Sequence, residues 1–222
     1  MKYLLLLFWM AVFTLQAEPV RFFYSELPPY EQTTADGGVD GIGIRAVTAI
    51  LKEAGFTPTF ELYSIQRGVA ALHGDIDFTT VVSPSEALRA EFELSKYPVY
   101  TIKLGIVRLA YTTKLTTIAD LQQHNYISLR ATLFHYLPDI FALSDAFIAN
   151  QYKVDTLDDA VRLIMHERYP YFLSYYLTEH ELKFPFLVFD ELLTLPVYLA
   201  MSKAHPDVKR MMSRIDAVRS GN

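Results

Sequence analysis

The sequence predicts an α/β protein built from open β-sheets flanked by helices, and three observations predict it. Apolar runs of period two alternate along the chain with runs of period 3.6, the pattern of strands and the helices that cover them. Glycines stand where helices should end, at Gly55 and Gly74, and Ser or Thr stands ahead of new helical runs. Residues 64–100 set a short helix, a buried strand, a sharply capped second helix and an edge strand one after another with almost no slack. Hydrophobic residues make up 51% and charged residues 20% of the 222, a globular balance with room for one or two domains.

Residues 1–17 stand apart from this pattern. Lys2 gives a minimal basic start, Tyr3 to Leu15 is apolar, and Leu15-Gln16-Ala17 offers a small residue before a cut, so the stretch reads as a secretory signal peptide. Its apolar run is shorter than the roughly 20 residues that cross a bilayer. The chain has no cysteine, so neither a disulfide nor a lipid-bearing N-terminal cysteine is expected.

Pro19 to Tyr24 is expected as the first strand, and Ser25-Glu26-Leu27-Pro28-Pro29-Tyr30-Glu31 as a loop that its prolines stiffen. Tyr30 there is either a core aromatic plugging the loop or the wall of a cleft. Asp36-Gly37-Gly38 reads as a turn. Ile44, Val47, Ile50, Leu51 and Ala54 form the stripe of a first helix. Thr57 to Tyr63 returns as a strand, and a helix over about 66–73 buries Val69 and Leu72. Ile76 to Val82 is a β-branched run with Asp77 near its entrance, the pattern of a buried strand. In Ser83-Pro84-Ser85-Glu86, Ser83 is the expected N-cap, Pro84 the first helical residue and Glu86 the closing acid of a capping box.

That helix delivers Arg89, a planar fork able to hold a carboxylate with two hydrogen bonds, or else a surface partner of Glu91 or Glu93. Ligands of open α/β sheets bind at the carboxyl ends of strands, where helix N-termini point. Ser64 and Arg67 lie at one such end and the capped helix at another.

Beyond Tyr100 a second unit is expected. Leu104 to Leu109 reads as a strand, Thr117 caps a helix, and Tyr126 to Leu129 is a strand ending in Arg130-Ala131-Thr132-Leu133. Asp155, Asp158 and Asp159 lie where a helix dipole favours acids, ahead of a buried face of Leu157, Ala160, Val161 and Ile164. Tyr169, Tyr171, Phe172, Tyr175 and Tyr176 cluster as lobe core or cleft wall, and the expectation is a split in which Tyr175 is the one that faces the cleft. Leu195 to Met201 reads as a returning strand and Asp207 to Val218 as a closing amphipathic helix.

Several classes of function are disfavoured. Lys and Arg number 20 against 25 Asp and Glu, a net charge of −5 with no basic cluster, so no nucleic-acid partner is expected. The glycines at 37–38 and 41–43 fit no nucleotide-binding loop. The six histidines include no pair at i, i+4, so neither a metal nor a cofactor is expected.

Ala71-Leu72-His73-Gly74-Asp75-Ile76-Asp77, then Ser85 through Arg89 to Ser95, then Pro98 and Tyr100, resembles the bacterial solute-binding proteins of family 3, the polar-amino-acid type. The likeness is most specific in this block and weak over the rest of the chain. It implies a two-lobed, periplasmic binding protein-like (type II) fold in which each lobe is an open β-sheet flanked by helices. Lobe 1 would comprise residues 18–103 with 195–222, and lobe 2 residues 104–194.

The resemblance also implies roles for particular residues. Arg89 would grip the ligand's carboxylate, with Tyr24 and Leu27 in contact just upstream of the Pro-Pro-aromatic loop. Thr132 matches the family's carboxylate-binding hydroxyl, while Ala131 stands where a glycine is usual. Arg130 is then either an additional anion contact or a surface charge. Where amino-acid binders carry an acid for the α-ammonium, the count falls on Tyr175, which can stack or donate but cannot neutralise an ammonium.

The function so implied is a monomeric periplasmic protein that captures a small polar, anionic solute. It would deliver that solute to the inner-membrane permease of an ABC transporter, or report it to a signalling receptor. Some relatives are cyclohexadienyl dehydratases, but an enzyme needs a general acid or base in the cleft. No acid stands at an obvious cleft position of the second lobe, so a binding protein rather than an enzyme is expected.

Overall fold

β1 (Glu18–Tyr24) is an apolar run whose buried Val20, Phe22, Phe23 and Tyr24 leave Arg21 half-exposed, and it pairs in parallel with β4 (Phe56–Leu62). The computed structural model describes residues 17–82, 85–130, 144–175 and 184–220. Apart from Ala17, the signal-peptide reading lies outside the described residues. Between β1 and β4 come the small hairpin of β2 (Gln32–Thr33) and β3 (Val39–Asp40) and then α1 (Ile42–Glu53). The expected stripe of α1 is its buried face, with Ile44, Val47, Ile50 and Leu51 set against Phe22, Phe56 and Phe78. Gly55 follows the C-cap at φ 80°, the left-handed conformation that strains any residue with a Cβ.

α2 (Ile65–Ala71) lies so close to β1 that a Cβ on Gly68 would collide with the Phe23 ring. β5 (Thr79–Val82) bridges β1 in parallel at Phe22–Phe78, so β4, β1 and β5 end on one edge. α3 (Glu86–Glu91), β6 (Phe92–Leu94) and β7 (Tyr100–Leu109) follow. Next come α4 (Ile118–Leu121), β8 (Tyr126–Leu129), α5 (Asp145–Ala149), β9 (Gln151–Val154) and α6 (Leu157–Met165). β10 (Tyr171–Tyr175), β11 (Leu187–Ser202) and α7 (Val208–Ser220) complete the described elements.

The fold is two-lobed α/β, and both lobes share one sheet of order β5-β11-β7-β10-β8-β9, with β6 also paired to β11. One set of cores gathers under α1 and α7, the other around Tyr126, Phe172 and the α6 face. The Thr117 cap is present as a full capping box with Asp120, and Thr156 caps α6 with Asp158 and Asp159 in its first turn. Among the described residues no helix is long and apolar enough to cross a membrane.

The structure moves several boundaries. The returning strand begins at Leu187 rather than Leu195, because Asp190 and Glu191 do not break it. Arg108 donates to Asp190 at 2.5 Å and Lys103 to Glu191 at 2.8 Å from the facing strand, so both charges are neutralised within the ladder. β7 likewise starts at Tyr100 rather than Leu104. β5 starts at Thr79 rather than Ile76, since Asp77 turns its carboxylate onto the Arg21 amide at 2.7 Å before the strand begins. The cap of α3 is Ser85, extended at φ −68° and ψ 167°, whose hydroxyl accepts from the Leu88 amide; the expected cap, Ser83, and Pro84 lie outside the described residues.

Glu18 ties the first strand to the last helix. It accepts from Arg210 at 2.7 and 2.9 Å and from Arg214 at 2.7 Å, while Arg214 lies over the Phe56 ring. The Arg210 hydrogen bonds, ahead of those from Arg214, hold the Glu18 carboxyl down from 4.5 to about 2. A carboxyl depressed in the folded state gives stability that is present above its unfolded value and lost as pH falls through the folded one. Wild type should therefore lose stability between pH 4.5 and 2 through this group, by about 1 kcal/mol or less because the clamp is partly solvated. Thermal melts across that range should show a correspondingly flatter acid limb for Glu18→Gln.

Candidate functional site

The edge where β4, β1 and β5 end collects most of the first-lobe residues singled out in the sequence. Tyr24 closes β1 opposite Leu62, and its carbonyl accepts from the Tyr63 amide at 3.1 Å, which sets Ser64 directly beyond it. Ser64 is the N-cap of α2 yet makes no side-chain capping bond, and it is exposed. Arg67, one turn on, is exposed as well. On the other side of β1, the chain leaves β5 for α3, whose Arg89 is exposed. Among the described residues neither Arg67 nor Arg89 forms an ion pair, with Glu91 and Glu93 or with any other acid. The backbone of Arg89 is fixed at both ends: its amide donates to Ser85 O at 3.0 Å, and its carbonyl accepts from Lys203 Nζ.

The remaining residues are more enclosed. Tyr24 is 3% exposed, and its hydroxyl meets Thr33 Oγ1 at 2.9 Å, with Glu26 accepting from the Thr33 amide at 3.0 Å. Leu27 is half-buried against the cluster that holds Tyr30, Leu104 and Tyr175. Tyr175 is 6% exposed at the end of β10, and burial pushes its phenol well up, so it stays protonated. Arg130 is exposed and donates to Asp155 at 2.7 Å in an exposed pair. Thr132 and Ala131 lie outside the described residues. Among the described residues no group of His, Asp and Glu could hold a metal ion.

Sequence reasoning passed over Glu31. It follows the proline loop and is 3% exposed, with Thr80 Oγ1 donating to Oε1 at 2.7 Å and Tyr100 Oη at 3.0 Å. The Ser25 amide also donates to the carboxyl. Three segments that end on the same edge are thus joined through one side chain. The signal that could have found it was an acid immediately after a large aromatic in a loop too short to carry it outward. Burial raises the Glu31 carboxyl above its ordinary value even though Thr80, Tyr100 and Ser25 pull the other way. Tyr100 is in turn pushed well up by burial and by Glu31, which keeps it a donor.

No protein-family model matches the chain, and no curated protein matches it in sequence. Solved structures do. The arginine-bound form of truncated ArgBP from T. maritima is 17% identical, with 92% of this chain and 96% of that chain covered and a TM-score of 0.65. A histidine kinase sensor domain with similarity to periplasmic binding proteins is also 17% identical, covering 93% and 92% at a TM-score of 0.69. An ABC uptake transporter substrate-binding protein from Streptococcus pneumoniae, with bound histidine, is 15% identical, covering 91% and 86% at 0.64. The chain therefore has the periplasmic binding protein-like fold that its central motif resembles.

Glu31 has a measurable consequence. Its folded-state pKa lies above the unfolded one, so the folded state holds its proton longer, and stability declines as pH rises from the ordinary carboxyl value through the folded one. Glu31→Gln keeps an acceptor but cannot ionise. Plotted against pH over this range, the melting temperature of wild type should fall relative to that of Glu31→Gln; parallel curves would contradict the assignment.

Proposed function

We propose that this protein binds a small polar solute bearing an anionic group by closing two lobes over it, and that it presents the solute to a membrane partner. Lobe 1 is assigned residues 18–103 and 195–222, lobe 2 residues 104–194, and residues 1–17 act as the cleaved signal that sends a monomer to the periplasm. The observation that carries the reading is Arg89: an arginine with no ion pair among the described residues, on a helix that follows the strand-end edge shared with Tyr24, Ser64 and Arg67. Open α/β sheets bind their ligands on such an edge.

Arg89 supplies a bidentate grip on a carboxylate, Ser64 and Arg67 serve from the other side of β1, and Leu27 is an apolar wall. Tyr24 shapes the edge and comes closer to the solute through its ring than through its committed hydroxyl. Thr132 and backbone amides complete the clamp from lobe 2. Arg130 is left out, because Asp155 already holds it. Closure is a population shift driven by contacts available only when the lobes meet. Similarity to an ABC uptake substrate-binding protein supports an importer permease as the partner. Similarity to a histidine kinase sensor domain supports a second reading, a sensor that docks on a signalling partner. Binding rather than catalysis is favoured because Glu31, the enclosed acid described at this edge, is already engaged by Thr80 and Tyr100.

The solute class rests on the family resemblance, which sets Tyr175 where amino-acid binders carry an acid. A tyrosine at that position leaves an α-ammonium without its counter-charge, a penalty of several kcal/mol on burial. In a thermal-shift screen, amine-free carboxylates should stabilise the protein, by about 2.7 kcal/mol at 100 times Kd, and ordinary α-amino acids should not. Shifts with amino acids alone would reject the reading.

For any carboxylate that binds, Arg89→Ala should weaken affinity by about 2–5 kcal/mol, roughly thirty- to several-thousand-fold in Kd, with the fold intact. A surface role for Arg89 predicts less than about a threefold change by titration calorimetry.

A further inference from the structure

α3 has only six residues, too few to hold a helical conformation by themselves. Its start is secured locally, where the Ser85 hydroxyl accepts from the Leu88 amide. Its end is secured from far away. β6 pairs with β11 in a register that sets Phe92 opposite Ser202, so the next residue of the returning chain, Lys203, comes level with the last turn of α3. The Lys203 amide donates to Glu91 O at 3.1 Å, and its Nζ donates to Arg89 O at 2.5 Å. The closing carbonyls of a helix have no partner within it, and a cation placed there also meets the negative end of the helix dipole. Among the described residues Lys203 forms no ion pair, so its ammonium goes to that carbonyl rather than to Glu91 or Glu93. The Arg89 side chain has neither a hydrogen bond nor an ion pair of its own among the described residues. Its direction is therefore set by the backbone it leaves from. A guanidinium that grips a carboxylate through two parallel bonds tolerates little error in that direction.

We propose that Lys203 is the positioning residue of Arg89. By taking the Arg89 carbonyl it fixes the last turn of α3 against the end of β11, so that the guanidinium leaves the helix at one angle to the strand-end edge. The inference rests on the reading of Arg89 as the anchor of an anionic solute, and one arm of its test needs no solute.

Amide hydrogen exchange supplies that arm. The Phe92 amide donates to Leu88 O and closes α3. In Lys203→Met, which keeps the stem and loses the ammonium, this amide should exchange about two- to fivefold faster, the size expected for a charge at a helix end. The Ile102 amide in β7 should be unchanged, and Lys203→Arg should restore the wild-type rate at Phe92. Equal Phe92 rates in wild type and Lys203→Met overturn the proposal with no solute involved. The second arm is a double-mutant cycle read by titration calorimetry, with succinate, malate and citrate as probes. Lys203→Met should raise Kd about two- to fivefold, and Lys203→Arg should bind as wild type does. In an Arg89→Lys background, which keeps the charge but has no fork to aim, Lys203→Met should leave Kd unchanged. An equal effect in both backgrounds overturns the positioning role and leaves Lys203 a structural cap. Wild type that binds none of the three probes rejects the solute class proposed above, and the exchange arm alone then decides the hold of Lys203 on α3.

Discussion

Glu31 is a carboxyl taken out of water, and such a group is tolerated only where donors surround it. Its donors come from the end of β1, from β5 and from β7, three segments far apart in sequence that must arrive together for the burial to be supportable. Removing any one of them would leave the acid short of a partner, at about 1–3 kcal/mol for a lost bond to a buried polar group. That dependence makes the side chain a geometric constraint. The loop over residues 25–31, the start of α1 packed beneath Tyr100, and the strand ends that carry Tyr24 and Ser64 are all referred to it. An apolar residue at position 31 would fill the space without specifying which segments meet there.

The same logic governs the passage between lobes. β7 and β11 are long antiparallel strands paired along most of β7, and the charges along them, Lys103 with Glu191 and Arg108 with Asp190, are matched across the ladder. Arg108 goes further, donating to the carbonyls of Leu109, Ala110 and Thr112 and so closing the turn that follows β7. The exposed Lys103–Glu191 pair adds little stability, but an unmatched charge at the buried Arg108–Asp190 pair would be expensive. The pairs therefore fix register, and the register brings Gly105 opposite the break in β11. The described sheet is thus regular along most of these two strands, with its register shift confined to the stretch between Glu191 and Leu193.

Side chains at the strand-end edge divide by whether the fold itself uses them. Tyr24, Glu26 and Thr33 satisfy one another, and Arg130 is held by Asp155. Arg89 and Arg67 are exposed and, among the described residues, without an ion pair, although the protein as a whole carries more acids than bases.

Much of this was legible in the chain. The α/β class, the buried stripe of α1, the cap at Thr117, the acids in the first turn of α6 and the glycine after α1 all follow from local rules, because helix faces and caps are settled by residues within one or two turns of each other. The motif from Ala71 to Tyr100 carried the fold family for the same reason. Only the tertiary structure decided the rest. Asp190 and Glu191 look like strand breakers until Arg108 and Lys103 appear opposite them. Glu31 looks like a loop acid until Thr80 and Tyr100 close over it, and Tyr30, readable as plug or wall, proves to be a buried plug stacked on Tyr100. In each case the deciding partner lies tens of residues away, and the energy of a buried polar group depends on that partner rather than on its neighbours in sequence.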